Sequence, residues 1–387
     1  WDGERMQYYL HNFLAEQPDL NFHNPAVQEE LLSIARFWLD RGVDGFRLDT
    51  VNFYFHDREL RDNPPLEPER RNANTAPSVN PYNFQDHLYD KTQPENLDFL
   101  RRLRAVMDEY PAVTSVGEVG ESQRGTEVQA AYTAGDDLLH MCYDFDFLSG
   151  TYPSGDQVAA VLERFQRIVT EGWACWAYSN HDVVRHPTRW SLDEPALRAY
   201  AALLMSIQGS VCLYQGEELG LTEAYVAYED LQDPYGKRFW PKFKGRDGSR
   251  TPMPWSADAA NGGFTDARPW LPVAVEHVER AVSVQERDPS STLAFYRAMI
   301  AFRKAHPALV KGTLEVLGHD EGSIALMRAH DGRRVFCAFN LSDAPREIRL
   351  PGLGWRLDRA APFAVTEAED HVTLPPWQAA FAVADGG

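Results

Sequence analysis

The sequence predicts an α/β fold with parallel strands, followed by a smaller antiparallel β domain, and three observations carry that reading. Amphipathic helical stretches alternate with short apolar runs along most of the chain, the pattern of βα units that build a parallel sheet. Long polar connections, residues 50–93 and 220–290, follow the apolar runs instead of preceding them. From about Gly312 the texture changes to short alternating runs with turn residues between them, which is how antiparallel strands read.

Taken in order, Asn24-Pro25 opens the first clear helix with a capping residue and a proline at its first position, and Val27, Leu31, Ile34, Ala35 and Trp38 repeat at helical spacing until Gly42 ends it. The strand 43–49 (VDGFRLD) follows at once. The helix 94–110 leads into a strand at 112–119, and a further strand is predicted at 141–147. The helix 156–171 precedes a strand at 173–182, and the helix 194–207 precedes one at 210–220. Residues 291–309 read as a last helix before the alternating runs LEVLGH, IALMRAH, RRVFCAFNL, REIRL and HVTLPP. The predicted division is therefore an α/β domain over 1–312 and a β domain over 313–387.

Length and charge bound the function. The chain has 387 residues, 44% of them hydrophobic, and a formal net charge of −19. Such a charge repels nucleic acid and anionic membrane surfaces and favours a neutral or small substrate. No apolar run is long enough to span a membrane. Cys142, Cys175, Cys212 and Cys337 are widely spaced, a pattern of neither a zinc site nor a disulfide framework, and one consistent with a reducing, cytoplasmic address. The opening residues WDGERMQYYLHNF resemble mid-protein sequence, so a signal peptide ahead of them is left open.

Three acidic residues stand out. In 43–49 the period of two puts Gly45, Arg47 and Asp49 on one face, so an arginine and an aspartate are expected to share the sheet interior. A buried pair of that kind is a poor structural device compared with apolar side chains. Glu118 ends the next strand, and Asp182 closes Ser179-Asn180-His181-Asp182. Acids at the C-terminal ends of parallel strands converge on one rim, and glycoside hydrolysis needs such convergence, with one carboxylate attacking the anomeric carbon and a second, protonated one donating to the leaving oxygen.

At these residues the chain resembles the α-amylase superfamily, glycoside hydrolase family 13, in its bacterial α-glucosidase and oligo-1,6-glucosidase group. The resemblance rests on DGFRLD at 44–49, GE at 117–118 and NHD at 180–182, in that order, together with QYYLHNF at 7–13, QPDLNFHNP at 17–25, LYQGEELG at 213–220, DPYG at 233–236 and GRDGSRTPMPW at 245–255. It covers nearly the whole chain. It implies a (β/α)8 barrel followed by a C-terminal antiparallel β-sandwich, and a retaining α-glucosidase acting on terminal α-linked, α-1,4 glucose of maltose-type oligosaccharides, with sucrose as a further candidate. Asp49 is then the nucleophile beside Arg47, Glu118 the general acid and base, and Asp182 and His181 the holders of the sugar in the first subsite. Arg250 closes the pocket, Phe145 stacks near the leaving group, and Thr50 marks the α-1,4 preference. No organic cofactor is required. The resemblance allows a structural calcium or magnesium ion in an early loop that this sequence does not contain, and it leaves the oligomeric state open.

Against the family pattern, the five strands correspond to the fourth through the eighth, which makes the chain an N-terminally truncated barrel. An open sheet exposes unpaired strand edges, so the expectation for the polypeptide alone is inactivity or poor folding. Two other readings stand beside hydrolysis: a transglucosylase or sucrose-acting enzyme using the same residues, and a non-catalytic scaffold, which the presence of all three acids disfavours.

Overall fold

The structure is a computed structural model that describes residues 1–72, 76–148, 150 and 152–384. Residues 73–75 of the first long connection, and 385–387 of the predicted β domain, lie outside the described set. The chain divides into two compact units, one of Trp1–Asp144 with Arg167–Cys175 and the other of Phe145–Gln166 with Trp176–Gly387.

In the first unit, helix α1 (Pro25–Leu39) starts as the sequence indicates, with the Asn24 side chain accepting from the Ala26 N–H. That bond satisfies one of the donors every helix start leaves unpaired. The chain then enters β1 (Gly45–Leu48), α2 (Glu95–Met107), β2 (Thr114–Glu118), α3 (Gly125–Thr133), β3 (Met141–Tyr143) and β4 (Ala174–Trp176). β1 pairs in parallel with β2 (Gly45 opposite Thr114), β2 with β3 (Val116 opposite Met141) and β3 with β4 (Cys142 opposite Ala174). Leu32, Ala35 and Leu39 of α1 share one apolar cluster with Phe99, Leu100, Leu103, Val106 and Met107 of α2 and with Cys142 of β3. Each large apolar side chain fully buried there stabilises the unit by roughly 1.5–3 kcal/mol before the entropy of ordering is counted.

Helix α3 has no counterpart among the predicted elements. Its sequence, GTEVQAAYT, opens on a glycine and ends on a threonine, and three polar or small residues, Thr126, Gln129 and Thr133, are buried on its inner side with Val128 and Tyr132. Packing of those side chains, not apolar periodicity, holds it.

The second unit continues from Trp176, whose carbonyl accepts from the Cys212 N–H. It contains most of α4 (Gly155–Ile168), then α5 (Glu194–Leu204), β5 (Ser210–Val211) and α6 (Thr292–Ala305). The strand order of the parallel sheet is β1-β2-β3-β4-β5, the βα succession that the sequence predicts. All five strands are shorter than predicted, and the last three stop well before their predicted ends, at Tyr143, Trp176 and Val211. Each gives way to a turn: Asn180 accepts from the Asp182 and Val183 N–H groups through its side chain, and Gly216 takes φ +86°, neither of which a strand ladder tolerates.

Eight strands follow, β6 (Thr313–Asp320), β7 (Ser323–His330), β8 (Arg333–Asn340), β9 (Arg346–Arg349), β10 (Trp355–Leu357), β11 (Thr366–Glu367), β12 (His371–Leu374) and β13 (Ala379–Ala384). They form two antiparallel sheets, β10-β13-β8-β7-β6 and β11-β12-β9, which share an apolar core containing Met327, Phe336, Leu357, Val372 and Leu374. That is the expected β-sandwich. Arg328, inside the run IALMRAH, is fully buried and donates to the carbonyls of Ser206, Leu309, Gly312 and Thr313 at 2.6–3.1 Å. Four acceptors replace the water its guanidinium gave up on burial.

Gly45 of the DGFRLD run has φ +149°, and a Cβ there would lie 1.9 Å from the Thr114 carbonyl oxygen. The β1–β2 contact therefore requires glycine at this position. Gly45→Ala is expected to lower stability by roughly 2–4 kcal/mol, read from chemical denaturation midpoints; a loss under about 0.5 kcal/mol would show that the two backbones have room to part.

Candidate active site

Two groups of functional side chains emerge, one in each unit. The first stands where β1 and β2 end. Arg47 and Asp49 lie two residues apart and so point to the same side. One more step of the register that pairs Leu48 with Gly117 brings Asp49 beside Glu118. The Arg47 guanidinium spans both acids, with Nη1 2.5 Å from Asp49 Oδ1 and Nη2 2.9 Å from Glu118 Oε2. Thr50 adds its backbone N–H to the same Glu118 oxygen at 3.1 Å. To do so it adopts φ +41°, ψ +47°, a conformation that β-branched residues rarely take.

The two carboxylates differ sharply in exposure. The Glu118 side chain is 8% exposed and that of Asp49 71%. The sequence reading had Arg47 and Asp49 sharing a buried interior; in the described residues their side chains are 41% and 71% exposed. Beneath them Tyr54 stacks on Phe22 with ring centroids 4.7 Å apart. Burial first, and the negative charge of Asp49 second, push its hydroxyl well above the usual tyrosine range, so Tyr54 stays a neutral O–H.

The second group surrounds Asp182. Its Oδ1 accepts from Arg246 Nη1 at 2.8 Å and from Arg250 Nη2 at 2.9 Å. His181 Nε2 lies 3.3 Å from Oδ2, and Arg250 Nε donates to the His181 carbonyl at 2.7 Å. Arg250 is thus folded back onto the strand-end turn itself. Arg246 is fixed from behind by Asp233, whose two oxygens accept from its Nε and Nη2 at 3.0 and 2.9 Å and from its backbone N–H at 2.9 Å. Burial raises the Asp233 carboxyl, but the bonds from Arg246 outweigh it and leave the group below the ordinary aspartate range.

Arg246 and Asp233 were not among the predicted site residues, although both sit inside quoted motifs. The available signal was the glycine in each: a Cβ on Gly236 would lie 2.8 Å from the Gly245 Cα, so DPYG and GRDG are pressed together and their charged residues meet. Phe145, predicted to stack near a leaving group, lies half-buried in the turn after β3, its carbonyl accepting from the Leu148 N–H at 3.0 Å. Among the described residues no group of three or more His, Cys, Asp or Glu side chains is arranged to hold a metal ion. Cys142 and Cys337 are buried free thiols.

Behind the Asp182 group lies a layer of buried charge. Arg185, 1% exposed, donates to the Gln215 and Ser249 carbonyls at 2.8 and 3.0 Å, and its backbone N–H donates to Glu223 at 3.0 Å. Glu217 of the LYQGEELG run is fully enclosed and touches the Tyr214 N–H and the Tyr296 hydroxyl at 3.3 and 3.2 Å. Burial pushes Glu217 up to about 8 and Glu223 up to about 7.

Comparison with known proteins bears on these motifs. The model of the α-amylase catalytic domain matches residues 1–312. The chain belongs to the α-amylase family. Within this family it is 58% identical to a Rhizobium meliloti protein named "Probable alpha-glucosidase" over 99% of the chain and 70% of that protein. It is 30% identical to "Maltase A1" of Drosophila melanogaster over 90% of the chain and 62% of that protein, so it spans under two thirds of the latter's length. Among solved structures, the alpha-glucosyl transfer enzyme XgtA superposes with TM-score 0.92 and 48% identity, covering 97% of the chain and 70% of that structure. The trehalulose synthase MutB from Pseudomonas mesoacidophila gives 0.81 and 26%, over 97% and 72%. The parallel βα succession and the β-sandwich after it are thus the α-amylase family fold.

Glu217 and Glu223 set a pH dependence. A folded-state pKa raised above the unfolded value means that the folded state binds more protons in between, so the contribution of these two acids to stability is fully present below the ordinary glutamate pKa and is lost as pH rises towards 7 and 8. Glu217→Gln, a neutral copy of the protonated acid, is expected to flatten that fall, on the order of a few kcal/mol. Thermal melts of both proteins at pH 5.5 and pH 8 check this; equal slopes would contradict it.

Proposed function

We propose that the protein is a retaining α-glucosidase that removes terminal α-linked glucose from short oligosaccharides of the maltose type. The observation that carries this reading is the single Arg47 guanidinium held between Asp49 and Glu118 at the ends of adjacent parallel strands. Retaining hydrolysis needs two carboxyl groups close together, one to attack and one to give and take a proton, and a shared guanidinium holds this pair together.

In the first step Asp49 attacks the anomeric carbon of the terminal glucose from the face opposite the leaving oxygen. The glycosidic bond breaks, and Glu118 gives that oxygen its proton. A glucosyl ester on Asp49 results, with Glu118 now ionised. In the second step Glu118 takes a proton from water, the resulting oxygen displaces Asp49, and glucose leaves with its original anomeric configuration. Arg47 offsets negative charge as it returns to each carboxylate in turn. Asp182 and His181 hold sugar hydroxyls in the strained, oxocarbenium-like form, and Arg250 swings from Asp182 to the sugar. No organic cofactor takes part. Thr50 lends its backbone to Glu118, and its side chain beside the nucleophile supports an α-1,4 preference.

Transfer of the glucosyl group to a sugar instead of water is the second reading, favoured by the 48% identity to an alpha-glucosyl transfer enzyme. Acceptor choice is the only chemical difference, so the products formed from maltose and from sucrose separate the two.

The test uses two variants of the full-length parent protein with p-nitrophenyl α-glucoside. Asp49→Asn should lower kcat by roughly 10⁴-fold or more. Glu118→Gln should slow cleavage of maltose by roughly 10²–10⁴-fold, spare formation of the ester from the activated nitrophenyl substrate, and accumulate a glucosyl adduct on Asp49 visible by mass spectrometry. An adduct elsewhere, or full activity of Asp49→Asn, would end the assignment.

A further inference from the structure

The two arginines on Asp182 Oδ1 are held in very different ways. Arg250 bonds only to the strand-end turn, through Asp182 and the His181 carbonyl, in its described contacts. Arg246 is anchored independently. Asp233 grips its guanidinium at two nitrogens and its backbone at a third. The Asp233 side chain is wholly enclosed, and its own backbone N–H, like that of Gln232, donates to Asp247 Oδ2 at 2.8 and 2.6 Å. The Gly236–Gly245 contact locks the two loops that carry the pair. A planar guanidinium with one edge clamped by a carboxylate has little freedom left. Its remaining nitrogen, Nη1, therefore sits at a set point in space, and Asp182 Oδ1 is bonded to that point.

We propose that Asp233 and Arg246 are a positioning pair for Asp182: Asp233 fixes Arg246, and Arg246 fixes the rotamer of Asp182 before the sugar arrives, leaving Arg250 as the cation that is free to exchange. This rests on the reading that Asp182 binds sugar hydroxyls. Asp182 is a half-exposed carboxylate on a turn, and without the clamp it would sample several rotamers, each of which weakens contacts needed most in the strained form of the sugar. A misplacement of about 1 Å at such a point costs on the order of 10²-fold in rate. Because the loss falls on the transition state more than on the bound substrate, kcat falls more than KM rises. Neither Asp233 nor Arg246 has to touch the substrate.

Four variants of the full protein test this, with kcat and KM measured on p-nitrophenyl α-glucoside and folding followed by thermal melts. Asp182→Asn is the control on the underlying reading: if it keeps full turnover, the role of Asp182 falls, whatever the other variants do. Given an inactive Asp182→Asn, Arg246→Ala should lower kcat by roughly 10- to 100-fold with KM changed less than about threefold, and Asp233→Asn by roughly 10-fold. Arg246→Ala strands a buried carboxylate and risks misfolding, so the double variant Arg246→Ala with Asp233→Asn removes both charges. It should melt close to the parent and be no slower than Arg246→Ala alone, because Asp233 acts only through Arg246. Added guanidinium should recover part of the kcat of the folded double variant. The proposal is overturned if the double variant keeps kcat within twofold of the parent, if the two losses multiply, or if guanidinium recovers nothing in a folded protein.

Discussion

Acidic side chains that stand close together must be held by positive charge, and that constraint organises each of the two charged groups of this molecule. Asp49 and Glu118 are brought side by side by strand register, where two carboxylates would otherwise repel or share a proton. One guanidinium, reaching up the same face of β1, bonds to both. The Asp182 group repeats the solution with two arginines on a single oxygen. In both places the arginine fork matters as much as its charge, because two nitrogens a fixed distance apart set the spacing of the groups they bind.

The second unit also keeps charges out of water, held by acceptors of the backbone or by a retained proton. Arg185 and Arg328 donate hydrogen bonds to backbone carbonyls, while burial raises the Glu217 carboxyl to about 8. Carbonyl acceptors at strand and helix ends are the groups that regular structure leaves unpaired, which is why buried arginines collect where elements stop. The arrangement ties loops to the framework without large apolar contacts. It also makes stability sensitive to pH in a range where most surface acids no longer titrate.

Glycines mark where these loops and strands touch. Gly45 lets β1 approach the Thr114 carbonyl, and Gly236 and Gly245 let the short helix that starts in DPYG meet the GRDG segment backbone to backbone. Contact of that closeness is what allows a bond network of 2.8–3.0 Å to run from Asp247 through Asp233 and Arg246 to Asp182. A family motif is here the trace of a packing requirement as well as of chemistry.

Periodicity, caps and turn residues in the sequence were enough to place α1, α2, β1, β2 and the shift to antiparallel strands, because each of these is governed by interactions within a few residues or by one buried face. Arg47, Asp49, Glu118 and Asp182 drew notice as charges at or near predicted strand ends, whereas His181 and Arg250 were named only through the resemblance to family motifs. Other features followed from neighbours distant in the chain. Helix α3 is held by polar residues that fit only their own surroundings, and Arg328 is buried because four carbonyls happen to converge on it. The link between Asp233 and Asp182 depends on Arg246, which lies 13 residues from one and 64 from the other. Local order is written residue by residue, whereas the sharing of a cation between acids is a property of three-dimensional proximity, which only the folded chain decides.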